Sequence, residues 1–185
     1  PTDSCVVPKV QHQEMKTLRP EDLKAYLDAA ERRGALAMFY LELVSGIRKG
    51  ELVALQWTDL GVEQRTISVS KQATKNETGD LVVTRPKTEN SIRQISIPQE
   101  AVELLVKEHS KHPGNPWLFP SSRTGAMYHP DSVVTLHQRI LKDAGLEHLR
   151  FHDLRHTFAT LALQNGVDFK TCLLYTSPSP RDRQK

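Results

Sequence analysis

The residues best suited to chemistry lie together late in the chain, in the stretch 151–160. His152, Arg155 and His156 occupy three of five consecutive positions there, and residues three apart project to the same side of a helix. A guanidinium is a permanently charged, planar fork that matches two phosphate oxygens. An imidazole donates to an oxygen or moves a proton near neutral pH. The pattern therefore predicts a site for an anion such as a phosphate.

Two cations elsewhere in the chain suit the same chemistry. Arg48 lies at the start of a short predicted helix, and Lys87 lies near the tip of a predicted hairpin. Transfer of a phosphodiester needs charge stabilisation on the non-bridging oxygens, a nucleophile, and an acid for the leaving oxygen. Two arginines, a histidine and a lysine supply all of these except the nucleophile, without a metal ion or a cofactor. Taken singly, Arg48 also fits a solvated helix end and Lys87 a solubilising loop charge.

The histidines allow two other interpretations. His148, His152 and His156 recur every four residues, which is the spacing of ligands for a zinc ion on one helix face. Gly145 and Phe151 indicate instead that the helix starts only near His152, so we expect no metal site. His156 fits either an active-site role or a partly buried histidine that is bonded to the backbone.

Composition places the chain among globular proteins. It has 185 residues, of which 38% are hydrophobic and 25% are charged. It has no apolar run of membrane-spanning length and no signal-peptide pattern. Cys5 and Cys172 lie in irregular stretches, which favours a reducing compartment over a disulfide framework. The net charge of +3 permits binding to a polyanion without requiring it.

Apolar periodicity predicts a mainly helical protein with one β region. The apolar residues recur at helical spacing in six segments, which are 20–33, 35–44, 48–55, 98–110, 129–144 and 152–164. The period changes to two in 65–70, 81–84 and 92–97, with 74–80 as a turn. We therefore predict an α+β fold with a small three-stranded antiparallel sheet.

These motifs, in this order, resemble the catalytic domain of the tyrosine recombinase (phage integrase) family. The resemblance is carried by the spacing of His152, Arg155 and His156, by the stretch 45–52 (Ser-Gly-Ile-Arg-Lys-Gly-Glu-Leu), and by Pro-Lys-Thr at 86–88. It covers residues 18–171 and is nearest in character to the integrases of conjugative transposons. It implies the tyrosine-recombinase catalytic fold.

The resemblance also implies roles for these side chains. Arg48 and Arg155 would clamp the scissile phosphate, and Lys87 would protonate the leaving 5′ oxygen. His152 would contact the phosphate and assist proton transfer. The resemblance adds two supporting residues to the expected site. Glu51 would orient the arginines, and His156 would be the second supporting residue.

The family's reaction implies the partners and the compartment. A tyrosine attacks DNA, forms a 3′-phosphotyrosyl link, and the reaction is then reversed onto another strand, with no metal or cofactor. The expected partners are double-stranded DNA and other copies of the full-length recombinase on DNA, with no membrane, in the bacterial cytoplasm. We expect the present chain to be a monomer by itself.

The sequence departs from the family pattern after the last predicted helix. Family members continue into a Leu-Gly-His segment and then a helix that bears the nucleophilic tyrosine, and we find neither in this sequence. Tyr175 follows Arg155 too closely for that role, so the nucleophile stays unassigned.

We therefore expect three segments of different origin. Residues 1–16 would be a linker remnant, 17–171 an incomplete catalytic domain, and 172–185 a non-native tail, so that the chain is inactive alone. The competing interpretations are a DNA-binding module without catalysis and a protein that relaxes DNA like a type IB topoisomerase.

Overall fold

A computed structural model describes residues 16–86 and 91–164 of the chain. Three helices precede the β region, and they are α1 (Pro20–Arg32), α2 (Leu36–Ser45) and α3 (Lys49–Val53). Three more follow it, and they are α4 (Gln99–His109), α5 (Pro130–Asp143) and α6 (Asp153–Gln164). A 3-10 turn, Trp57–Asp59, leads into the strands. The predicted α+β, mainly helical fold class is confirmed, and each predicted helix has a counterpart.

The β region differs from the prediction in how its strands are paired. Strands β1 (Leu60–Gly61), β2 (Thr66–Val69) and β5 (Arg93–Ser96) form a three-stranded antiparallel sheet in the order β1-β2-β5. Strands β3 (Gln72–Lys75) and β4 (Leu81–Thr84) form a separate antiparallel hairpin.

The prediction that residues 81–84 share one sheet with 65–70 and 92–97 is therefore wrong. So is the assignment of residues 74–75 to a turn, because they belong to β3. Ala73 is the one buried residue of that strand and its neighbours are polar, so the strand has no apolar alternation.

Helix α2 lies at the centre of the helical core. It contacts α1, α4 and α6, and most of its residues are buried. Its sequence is apolar almost all round, which is the pattern of a helix enclosed by others. Ala37, Phe39 and Leu41 are among its buried side chains.

A buried polar network ties the chain ahead of α6 to α1 and α5. The Tyr26 hydroxyl lies 2.8 Å from His137 Nδ1, and His137 Nε2 lies 2.9 Å from the Leu149 carbonyl oxygen. A carbonyl can only accept, so Nε2 carries the proton and Nδ1 accepts from Tyr26. Burial lowers the pKa of His137 to about 4, so the ring is neutral at neutral pH.

In the part of the chain that the structure describes, no helix is both long and apolar enough to cross a membrane.

Candidate active site

A tight turn between α2 and α3 positions Arg48. Gly46 ends α2 in the left-handed conformation, with φ of 56°. A Cβ at Gly46 would also overlap the ring of Phe158 on α6. Both the backbone angle and the close approach of α6 therefore require glycine at this position. The turn leaves Arg48 at the N-cap of α3.

Arg155 joins α6 to the same turn. Its Nη1 donates to the Gly46 carbonyl, and its side chain is buried. Burial, followed by the nearby charge of Arg48, lowers the pKa of Arg155 to about 10. The guanidinium therefore stays protonated at neutral pH, and two arginines from distant parts of the sequence meet at one place.

Glu51 is the buried counter-charge of the arginines. It accepts from the Arg48 backbone N–H at 2.8 Å and from Arg48 Nη1 at 3.2 Å. Arg93 on β5 donates to its two carboxylate oxygens at 3.1 and 2.8 Å. Burial by itself would raise the pKa of Glu51, but the hydrogen bonds and charges of Arg93 and Arg48 outweigh it and lower the pKa. Glu51 therefore remains ionised and fixes both guanidiniums.

His152, which directly precedes α6, and His156 on α6 lie side by side. The ring centroids of His152 and His156 are 5.4 Å apart. His152 is exposed, whereas His156 is half-buried, and burial lowers the pKa of His156. Within the described residues the His156 ring has no hydrogen bond to the backbone, so its purely structural interpretation lacks the expected contact.

The start of α6 argues against a zinc ion on this helix. Helix α6 begins at Asp153, so His148 lies outside it. Across residues 16–86 and 91–164, no group of three His, Cys, Asp or Glu side chains is arranged to hold a metal ion.

Asp153 fixes the beginning of α6. Its carboxylate is buried and accepts from the Arg150 backbone N–H and from Arg150 Nε and Nη2. A bidentate arginine–carboxylate pair restrains orientation as well as position. The residues that follow on α6 therefore start from a fixed point.

Arg48, His152 and Arg155 line one cavity of about 380 Å³. Its volume is that of a site for a small group or for part of a larger ligand. The remaining lining is partly apolar and partly cationic, and includes Ile47, Lys49, Val134, Arg150 and Phe151. The arrangement suits a phosphate held at a positively charged opening.

Glu42 of α2 also lines this cavity. It is 1% exposed, and its Oε2 has no hydrogen-bond partner among the described residues. Burial raises the pKa of Glu42 well above its ordinary range, against the opposing charge of Arg155. Burial therefore favours the neutral form of Glu42, and this carboxyl balances the arginines of the cavity less than an ionised one would.

The structure thus brings together most of the residues that the sequence nominated. Arg48, His152 and Arg155 line one opening, Glu51 is buried behind Arg48, and His156 lies beside His152. Lys87 and Tyr175 lie outside the described residues.

Sequence reasoning missed Arg93 and Glu42. Arg93 shares the strand face of the buried Ile95, two residues on, and a cation in phase with such a residue was a usable signal. Glu42 is a lone acid between Leu41 and Leu43 in an apolar helix, which was another.

The fold and the site bring two arginines, Arg48 at the start of α3 and Arg155 on α6, to one cationic cavity. The model of the phage integrase family matches residues 16–173, so the chain belongs to that family. This confirms the resemblance to the catalytic domain of tyrosine recombinases.

Two curated relatives illustrate the match. A tyrosine recombinase XerC-like protein of Caldanaerobacter subterraneus subsp. tengcongensis is 30% identical, over 85% of this chain and 46% of its own length. The ICEBs1 integrase of Bacillus subtilis is 29% identical, over 92% of this chain and 49% of its own length. The chain therefore spans about half the length of these relatives.

Solved structures show the same fold. The Tn1549 transposon integrase in complex with a circular intermediate DNA superposes with a TM-score of 0.80 at 20% identity, covering 95% of this chain and 61% of that one. XerA recombinase gives a TM-score of 0.70 at 23% identity, covering 91% and 58%.

Proposed function

We propose that a protein containing this domain breaks and rejoins duplex DNA at specific sites, and that it recombines or integrates a mobile element. One observation carries the proposal, which is that the guanidiniums of Arg48 and Arg155 converge with His152 on a single cavity. Membership of the phage integrase family supports the same activity.

In the proposed reaction a tyrosine hydroxyl attacks the scissile phosphorus. A bond forms between phosphorus and the phenolic oxygen, and the bond to the 5′ oxygen breaks. Arg48 and Arg155 stabilise the charge that develops on the non-bridging oxygens, and they do so without reorganising because Glu51 and Gly46 already hold them. Rejoining is the reverse attack by the 5′ hydroxyl of another strand.

Two residues move the protons of this reaction. Lys87 donates a proton to the leaving 5′ oxygen, and His152 assists removal of the phenolic proton. Exposure of His152 at the cavity opening supports this role, because the ring can reach a bound DNA strand. His156 supports the site from the half-buried position beside it.

The nucleophile is proposed to come from outside the described residues. Tyr26 is fully buried, and its hydroxyl is engaged with His137, so it cannot reach DNA. Tyr40 and Tyr128 are partly buried and do not line the cavity. Within residues 16–86 and 91–164, therefore, no tyrosine lies where it could attack a phosphate in the cavity.

Duplex DNA and further copies of the recombinase are the proposed partners. The Tn1549 integrase structure contains DNA, and another similar structure is a lambda integrase dimer bound to a core site. We propose that the reaction takes place in the bacterial cytoplasm and that the present chain alone is monomeric. A stable tetramer on a sizing column would contradict the last point.

The test uses the full-length recombinase that contains this domain. The protein is incubated with its cognate DNA and run on a denaturing gel. We expect a covalent protein–DNA adduct that is lost in Arg155→Ala. No adduct, combined with reduced DNA affinity in Arg48→Ala and Arg155→Ala, would indicate a non-catalytic DNA-binding module. Relaxation of plasmid without sequence preference would indicate topoisomerase-like activity.

A further inference from the structure

Thr157, on the catalytic helix α6, makes a contact that the proposed reaction does not use. The backbone N–H of Leu18 donates to its hydroxyl oxygen over 3.0 Å, and both residues are buried. Leu18 lies just ahead of α1, where the chain enters the domain. One side chain therefore joins the beginning of the described chain to the helix that carries Arg155 and His156.

The hydrogen bonding of Thr157 distinguishes it from an ordinary helical threonine. A threonine inside a helix often donates to the carbonyl four residues back, and Thr157 does so to Asp153 at 3.2 Å. Thr160, one turn further on, makes the same type of bond to His156 and is exposed. Of these two threonines, Thr157 alone also accepts a hydrogen bond from the N–H of another segment. Its hydroxyl therefore donates one hydrogen bond and accepts another.

The contact bears directly on where Arg155 lies. Thr157 follows Arg155 by two positions on the same helix. Its hydroxyl donates to the carbonyl of Asp153, whose side chain pairs with Arg150 at the start of that helix. Helix α6 also contacts α2, where Arg155 donates to the carbonyl of Gly46. Loss of the Leu18 contact would leave a buried N–H unpaired, and α6 would be held by α2 and the Arg150–Asp153 pair.

We propose that Thr157 is a positioning residue, which fixes α6 against the incoming chain at Leu18 and so holds Arg155 at the phosphate. A neighbouring contact also joins the start of the described chain to the segment ahead of α6, because Lys16 pairs with Glu147 over 3.3 Å at the surface. That pair is exposed and contributes little. The buried hydrogen bond of Thr157 is therefore the contact to test.

The size of the effect follows from the bond. A buried hydrogen bond has a net effect that corresponds to about a fivefold change in an equilibrium. If the bond favours the binding-competent position of α6 by that factor, its loss weakens the apparent affinity by up to about fivefold.

The experiment compares Thr157→Val, which keeps the shape and removes the hydroxyl, with Thr157→Ser and Thr160→Val. Two quantities are measured on the present chain, namely amide hydrogen exchange at Leu18 and affinity for a mixed-sequence DNA duplex at low salt. We expect Thr157→Val to speed exchange at Leu18 and to weaken DNA binding by up to about fivefold. Thr157→Ser should restore both quantities, and Thr160→Val should change neither.

The affinity measurement rests on the proposed function, and the two can fail separately. Faster exchange at Leu18 with unchanged DNA affinity in Thr157→Val would overturn the positioning role and leave the proposed function standing. DNA affinity that does not respond to Arg155→Ala would overturn both.

A second pair of variants covers the case in which Thr157→Val does not fold. Leu18→Pro removes the N–H donor and leaves α6 unchanged, and Leu18→Ala removes the apolar side chain but keeps the donor. We expect the proline variant to bind DNA several-fold more weakly than the alanine variant. Equal affinities for the two would refute the proposal.

Discussion

The buried carboxylate of Glu51 is the residue whose removal should disturb the site most. Glu51 is 2% exposed and accepts two hydrogen bonds from Arg48 and two from Arg93. Glu51→Gln keeps the shape but removes the negative charge, and it turns an amide N–H₂ towards a guanidinium that also donates. Arg48, Arg93 and Arg155 are then left without the carboxylate that balances them.

The expected cost is a loss of about 3 kcal/mol in the free energy of unfolding, since removing one partner of a buried ion pair costs roughly 3–5 kcal/mol. We take the lower end because the Arg48 side chain is 39% exposed, so water solvates part of its charge. Arg93 is 17% exposed and keeps more of the penalty. The loss of stability caused by Glu51→Gln should become smaller as the pH is lowered, because the pKa of Glu51 is lowered in the folded state. Its stabilisation is present above the unfolded pKa and is lost as the pH falls through the folded one.

Urea denaturation of the present chain measures this cost. The matched control is Glu63→Gln, which removes the same charge from an exposed position. The control should change the free energy of unfolding by less than about 0.5 kcal/mol. Equal stability of the Glu51→Gln and Glu63→Gln variants at neutral pH would show that the carboxylate does not hold the arginines as described.

Three further outcomes follow from buried groups. The folded pKa of His137 is about 4 against an ordinary 6.5, so the native state should lose stability as pH falls between these values. The loss should reach about 3 kcal/mol, and pH-dependent urea melts that stay flat in that range would refute it. Glu42→Gln should gain stability over the parent as pH rises, since the raised pKa of Glu42 makes the folded parent keep a proton that the unfolded chain releases; a difference independent of pH would contradict this. Gly46→Ala should cost about 1–3 kcal/mol more than Gly34→Ala in urea melts, because both have positive φ but only Gly46 faces Phe158; equal costs would mean that the ring moves aside freely.

Local sequence patterns accounted for the helices and for the nominated cations. The apolar period of α5 and the helix end at Gly46 can be predicted from local sequence alone. The pairing of β4 with β3 could not be predicted, because β3 has one apolar residue and no apolar alternation.

The balance of charge inside the site depends on distant contacts. Arg93 reaches Glu51 across 42 positions, and Arg155 reaches Gly46 across 109. No spacing rule relates residues so far apart. Arg48, Arg155 and, through the family resemblance, Glu51 could be nominated, but the pairing of Glu51 with Arg93 could not be predicted.

The proposed function depends most on Arg48 and Arg155 binding the same phosphate. The direct test is a double-mutant cycle on DNA affinity, with Arg48→Ala, Arg155→Ala and the double variant, and Arg123→Ala as an exposed arginine away from the cavity. Two residues on one phosphate should show a coupling energy of about 1 kcal/mol or more, with both single variants weaker binders than the Arg123 variant. Additive losses, or losses no larger than that of Arg123→Ala, would contradict a shared phosphate site.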